Sequence, residues 1–289
     1  MPAEQIARNL AFINWTVLAG LGLGSFTAVV VARLRTEAPR GYLAFTALCA
    51  AGFAALAWLS DGALPAAPAG ASAATDPALD QVRRLGLLLL SFTAAAWAVG
   101  VRRGGRMPVL GAIGLAAGAI TLGTAAVGWG GAGGAGLAGG TAGSAISGIP
   151  LLIELVVLSA ATGGVFAAMV LGHWYLVTPK LGEAPLVLLA RLLLAIVALQ
   201  LALFVASLAL GAGPGTSPFG ALTGPWALFV WLRLVVGLVF PLILSWAAVQ
   251  TARTRSMESA TGLLYINVGA IAAGTILASG LYFGAGLLT

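Results

Sequence analysis

Seven polar side chains stand inside or at the ends of long apolar runs, where their chemistry carries weight: Asn14, Glu154, His173, Arg191, Arg233, Tyr265 and Asn267. An ionisable group within a run long enough to cross a bilayer is costly and defaults to a functional reading. Glu154 in PLLIELVVL and Arg233 in VWLRLVVG sit at similar depth in two such runs. An ion pair between them would satisfy both charges. It would serve either as a helix lock or as a site that handles protons or an ionic substrate. His173, in GHWYLVTPKLG beside Trp174 and Tyr175, closes a run with an aromatic belt, as an anchor or a proton relay. Arg191 in LLARLLLA has a stem long enough to snorkel to the nearest surface. Tyr265 and Asn267 in TGLLYINVGAI, with Gln200 and Gln250, can hydrogen-bond a ligand oxygen or tie helices together.

The same inventory excludes much. His173 is the single histidine, and one cysteine with four methionines completes the soft-ligand set. Two histidines from this chain therefore cannot hold a haem, no iron–sulfur set exists, and no intrinsic haem or metal is expected. Neither a Ser/His/Asp triad, an HExxH motif nor a paired-carboxylate site can be assembled. The net charge of +6 comes from 14 Lys and Arg scattered between apolar runs. No basic stripe with interleaved aromatics is formed, so nucleic acid is not an expected partner. Cys49 lies in an apolar run and reads as a small hydrophobe.

These residues must be positioned by membrane helices. Sixty per cent of the chain is hydrophobic, 8% is charged and the mean hydropathy is +1.05, which no soluble core hides. The expected fold is an all-α integral membrane protein with eight spans, over approximately 9–33, 41–60, 84–101, 107–128, 150–177, 185–211, 225–250 and 261–287. The first run exceeds a signal-peptide core and is read as a retained span. Connections after the odd spans carry Arg33, Arg35, Arg40, Arg102, Arg103, Arg106, Lys180, Arg253 and Arg255, against Arg8, Arg83 and Arg84 on the other side. By the positive-inside rule both termini lie outside, in a prokaryotic-type inner membrane.

Self-comparison suggests a repeat. VLAGLGLGSFTAVV from Val17 aligns without gaps with VLSAATGGVFAAMV from Val157, GAITLGT from Gly118 with GAIAAGT from Gly269, and AWA at Ala96 with SWA at Ser245. The matches fall in order, which predicts two tandem four-helix bundles in parallel orientation, residues 1–128 and 150–289, joined by a Gly-rich outer loop at 129–149. Gly20, Gly24, Gly118, Gly123, Gly163 and Gly164 are expected at helix contacts, because small residues let helices approach in lipid.

Eight spans in two bundles, NWTVLAGLGLGSF in the first and ALFVWLRLVVGLVFP from Ala227 in the seventh together resemble the NrfD family, the polysulfide-reductase type of membrane anchor that exchanges electrons with quinol. The resemblance implies an exchangeable quinone or quinol bound in the first bundle near the outer face, with Asn14 in the position of an early polar residue. It also implies iron–sulfur, molybdenum or cytochrome partner subunits carrying the redox centres. The family's companion histidine has no counterpart here. The expected function is thus a membrane subunit of a respiratory oxidoreductase. A secondary transporter with a charged site between the repeats, or a non-catalytic scaffold, is the alternative.

Overall fold

A computed structural model describes residues 1–68, 76–130, 145–178, 181–211 and 217–289, with side chains from 148 onward in the third segment. Among the described residues, eight helices are long and apolar enough to cross a membrane, and 85% of those residues are helical. A short α1 (Pro2–Arg8) precedes α2 (Leu10–Arg35), α3 (Arg40–Asp61), α4 (Pro77–Arg102), α5 (Pro108–Trp129), α6 (Ala145–Val177) and α7 (Ala184–Leu210). The seventh span joins α8 (Ala227–Leu234) to α9 (Phe240–Arg253) through a π segment at Val235–Val239, and α10 (Met257–Ala285) is the eighth.

Local chemistry sets these limits. Asp76 accepts a hydrogen bond from the Ala78 N–H at 2.9 Å and Pro77 occupies the first turn, so α4 starts well before the expected residue 84. Apolarity alone misplaced that start, because ALDQVRR is polar yet helical. Pro108 and Pro185 likewise open α5 and α7. α7 ends on Gly211 at φ 61°, left-handed backbone that glycine adopts without strain.

The most extensive helix contact is the crossing of α2 with α6. α3 packs on α2 and α4, and α4 on α5; α7 packs on α6 and α9, and α10 on α9 and α6. The contacts of α5 with α6 and of α10 with α2 flank the central crossing. At its centre Gly24 meets Gly163 with no room for a side chain: a Cβ on Gly24 would lie 1.8 Å from the Ser159 carbonyl oxygen, and one on Gly163 2.2 Å from the Ser25 nitrogen. Ser25 Oγ donates to the Gly163 carbonyl at 3.2 Å, and the hydroxyl of Thr162, next to Gly163 on α6, meets that of Thr275 on α10 at 2.7 Å. Gly20 faces Ser159 and Gly118 faces Leu23, as small interface residues should. Gly123 and Gly164 face open space, contrary to expectation. A composition match cannot say which of two adjacent glycines points at the partner, since neighbours on a helix diverge by about 100°.

Most of the Gly-rich 129–149 connection, Lys180, and the centres of the 61–80 and 211–220 connections lie outside the described residues.

Candidate functional site

At the end of the bundle where residues 1 and 289 lie, a cleft of about 220 Å³ opens between the start of α6, the second half of α7, Arg233 of α8 and Leu288–Thr289. Ile149, Ile153, Val157, Leu203 and Leu210 give it apolar walls, and Glu154, Gln200 and Arg233 are its principal polar groups. Glu154 is buried, and neither carboxylate oxygen has a hydrogen-bond partner or solvent contact. Arg233 and the backbone N–H of Thr289 are its charged and polar neighbours. A buried acceptor pair left open in this way costs roughly 1–3 kcal/mol or more, so it is not a device for stability.

The expected Glu154–Arg233 ion pair is not formed. Arg233 instead donates to other oxygens: Nη2 to Gln200 Oε1 at 3.4 Å and to the main-chain oxygen of Thr289 at 3.2 Å, and Nη1 to the Gly237 carbonyl at 3.2 Å. Gln200 Nε2 donates to the Val157 carbonyl at 2.9 Å, which fixes its amide across α6 and α7. The physical reason for the missing pair is local. Gly237 belongs to the π segment that follows α8, and its carbonyl occupies the guanidinium from within the same span. The same glycine crosses Gly274 of α10 so closely that a Cβ on it would lie 2.7 Å from the Gly274 Cα.

The remaining expected residues are dispersed. Asn14 is exposed on α2 and donates to Ser60 Oγ at 3.3 Å. His173 and Tyr265 meet at the opposite end, Tyr265 Oη lying 3.2 Å from His173 Nδ1, both exposed. Tyr175, in the aromatic belt beside His173, is buried and donates to the Gly182 carbonyl. Asn267 is buried and donates to Ser245 Oγ at 2.9 Å, while its Oδ1 has no partner. Arg191 and Gln250 are exposed. Of the seven, Glu154 and Arg233 line one cleft, and His173 and Tyr265 form a separate exposed pair. Among the described residues no group of three or more His, Cys, Asp or Glu side chains is placed to hold a metal.

One cluster escaped the sequence. Arg83, counted as a loop charge, is buried in α4, with Nε on Asp61 Oδ2 at 2.6 Å, Nη2 on Asp61 Oδ1 at 3.2 Å and Nη1 on Asp80 Oδ1 at 2.7 Å. Its guanidinium carbon lies 4.7 Å from the Trp129 ring centre, and Trp15 stacks edge-on to Trp129. Two signals for this were present: the i, i+3 spacing of Asp80 and Arg83, and Asp61 ending an apolar run.

No family model matches the sequence, and neither a curated protein nor a solved structure matches the chain.

Proposed function

We propose that the protein is a quinol-interacting membrane subunit of a respiratory oxidoreductase, and that its quinol site is the cleft around Glu154 rather than a pocket at Asn14. The observation that carries this reading is a buried carboxylate with no hydrogen-bond partner at the polar end of an apolar cleft. The walls fit an apolar ring and tail, and the polar groups left unpaired in the cleft are the Glu154 carboxyl oxygens and the Thr289 hydroxyl. A bound quinol supplies two electrons and two protons. Glu154 accepts a hydrogen bond from one quinol hydroxyl and takes one of the two protons, as a general base must lie within hydrogen-bond reach, and the second proton leaves to water at the mouth of the cleft. Arg233, held by oxygens of Gln200, Gly237 and Thr289, keeps its positive charge beside the carboxylate after the proton leaves and so resets it. Gln200 fixes Arg233 in place. The electrons pass to iron–sulfur, molybdenum or cytochrome partners, which the motif resemblance implies, in a prokaryotic inner membrane with both termini outside.

The transporter reading places its site between the two halves. There the Gly24–Gly163 crossing excludes even a methyl group, so the geometry favours the quinol reading.

The test uses the purified chain in neutral detergent, titrated with a short-chain quinone while its melting temperature is followed. Saturable stabilisation is expected. It should vanish in Leu203→Trp, which fills the cleft, and weaken in Glu154→Gln without loss of folding. An undiminished shift in both variants removes the cleft from the site.

A further inference from the structure

At the opposite end of the bundle, the loop between α2 and α3 and the turn between α4 and α5 enclose a polar cleft of about 880 Å³. Arg33, Arg35, Arg40 and Arg106 line it, with Glu37 as the one carboxylate. Among the described residues none of these five side chains takes part in an ion pair. Arg33 Nη2 reaches the Gly105 carbonyl at 3.4 Å, but its Nε is buried with no partner. The Gly104 backbone, at φ +99°, lies against the Arg40 guanidinium, so that a Cβ there would stand 3.3 Å from Nη1. α3 and α5 both begin at this end without a side-chain cap, adding two positive helix termini. Leu34, 65% exposed, stands beside the arginines.

We propose that this cleft binds the phosphodiester of an anionic phospholipid. Uncompensated guanidiniums that converge are repelled by one another, and a doubly hydrogen-bonding phosphate is the group their forks match. Orientation by the positive-inside rule requires positive charge on this side but no convergence, and Arg102 and Arg103, on the same turn, stay outside the cleft. The position explains why the phosphate comes from a lipid: the cleft lies at the ends of four spans, level with headgroups, and Leu34 offers an apolar surface to an acyl chain. This site is independent of the quinol reading.

The experiment titrates the purified chain in dodecyl maltoside with fluorescent phosphatidylglycerol, using phosphatidylcholine of the same chain length as the comparison. Saturable binding of phosphatidylglycerol is expected, weakened by salt, with phosphatidylcholine much weaker. Arg40→Gln/Arg106→Gln should bind about 30-fold more weakly, the effect of two surface arginines. Arg102→Gln/Arg103→Gln, which removes equal charge outside the cleft, should bind as the native chain does. Arg40→Lys/Arg106→Lys keeps the charge, guards against a folding defect in the glutamine variant, and should fall between the two. Equal loss in both glutamine variants would reduce the effect to general surface charge and overturn the site. Displacement of the lipid by inorganic phosphate at equal concentration would reassign the cleft to a soluble phosphate and overturn the lipid as its source.

Discussion

Arg83 and Arg233 are both 2% exposed, both lie near the start of a span, and both stand at the same end of the bundle. Their surroundings differ completely. Arg83 has two carboxylates, one of them bidentate, and an indole face. Arg233 has the Gln200 amide, the Gly237 carbonyl and the main-chain oxygen of Thr289, while the Glu154 side chain near it goes unbonded. The first arrangement ties α3 to α4 and leaves nothing for a ligand to do. The second keeps a guanidinium and a carboxyl group in one low-dielectric space without a direct ion pair between them, which is what a site for proton transfer needs and a structural lock does not.

Breaking the saturated pair should have the largest effect. Asp61→Ala removes the bidentate partner of a buried guanidinium and leaves it only the partly exposed Asp80, so it should lower stability by about 3 kcal/mol in detergent unfolding, whereas Asp61→Ala/Arg83→Met recovers much of it. A double-mutant cycle there should give a coupling above about 2 kcal/mol, and the corresponding Glu154/Arg233 cycle below about 1. Equal couplings would erase the distinction between the two arginines. Next in size is Gly24→Ala at the central crossing, expected to destabilise by about 1–3 kcal/mol because the helices must part; a neutral melting curve would show that α2 and α6 are not in backbone contact. Glu154→Leu should go the other way and raise stability by about 1 kcal/mol, since it removes an unsatisfied buried acceptor, while quinone-dependent stabilisation is lost. A fall in stability would make Glu154 a structural residue after all. Smallest is Tyr265→Phe: the pair with His173 is exposed, so thermal unfolding should change by less than about 0.5 kcal/mol.

The eight spans were legible because apolar runs of membrane length have few other uses. What hydropathy could not see was a polar stretch continuing a helix, and it therefore left Arg83 in a loop although Asp76–Pro77 marked the true start of α4. Glu154 and Arg233 were legible as a neighbourhood from depth alone. Their failure to pair was not, since it depends on the Gly237 carbonyl and on Thr289, 56 residues beyond Arg233 in sequence. Gln200 was visible as a buried amide candidate, but nothing local said that it would face Arg233 and Val157. Gly163 and Gly164 show the same limit at the crossing, where helix phase decides which glycine packs.

The π segment at Val235–Val239 makes the seventh span sensitive to length as well as to composition. A π turn carries an inserted residue, so removing one of these five positions would let the span run as an unbroken α-helix. Everything on the α8 side would then rotate by about 100° and shift by about 1.5 Å relative to α9. Arg233 would swing off the Glu154 cleft, and Gly237 would leave Gly274 facing a side chain. A single deletion in a stretch of interchangeable valines and leucines would therefore disable the cleft and the α10 contact together, although it removes no polar atom from the site.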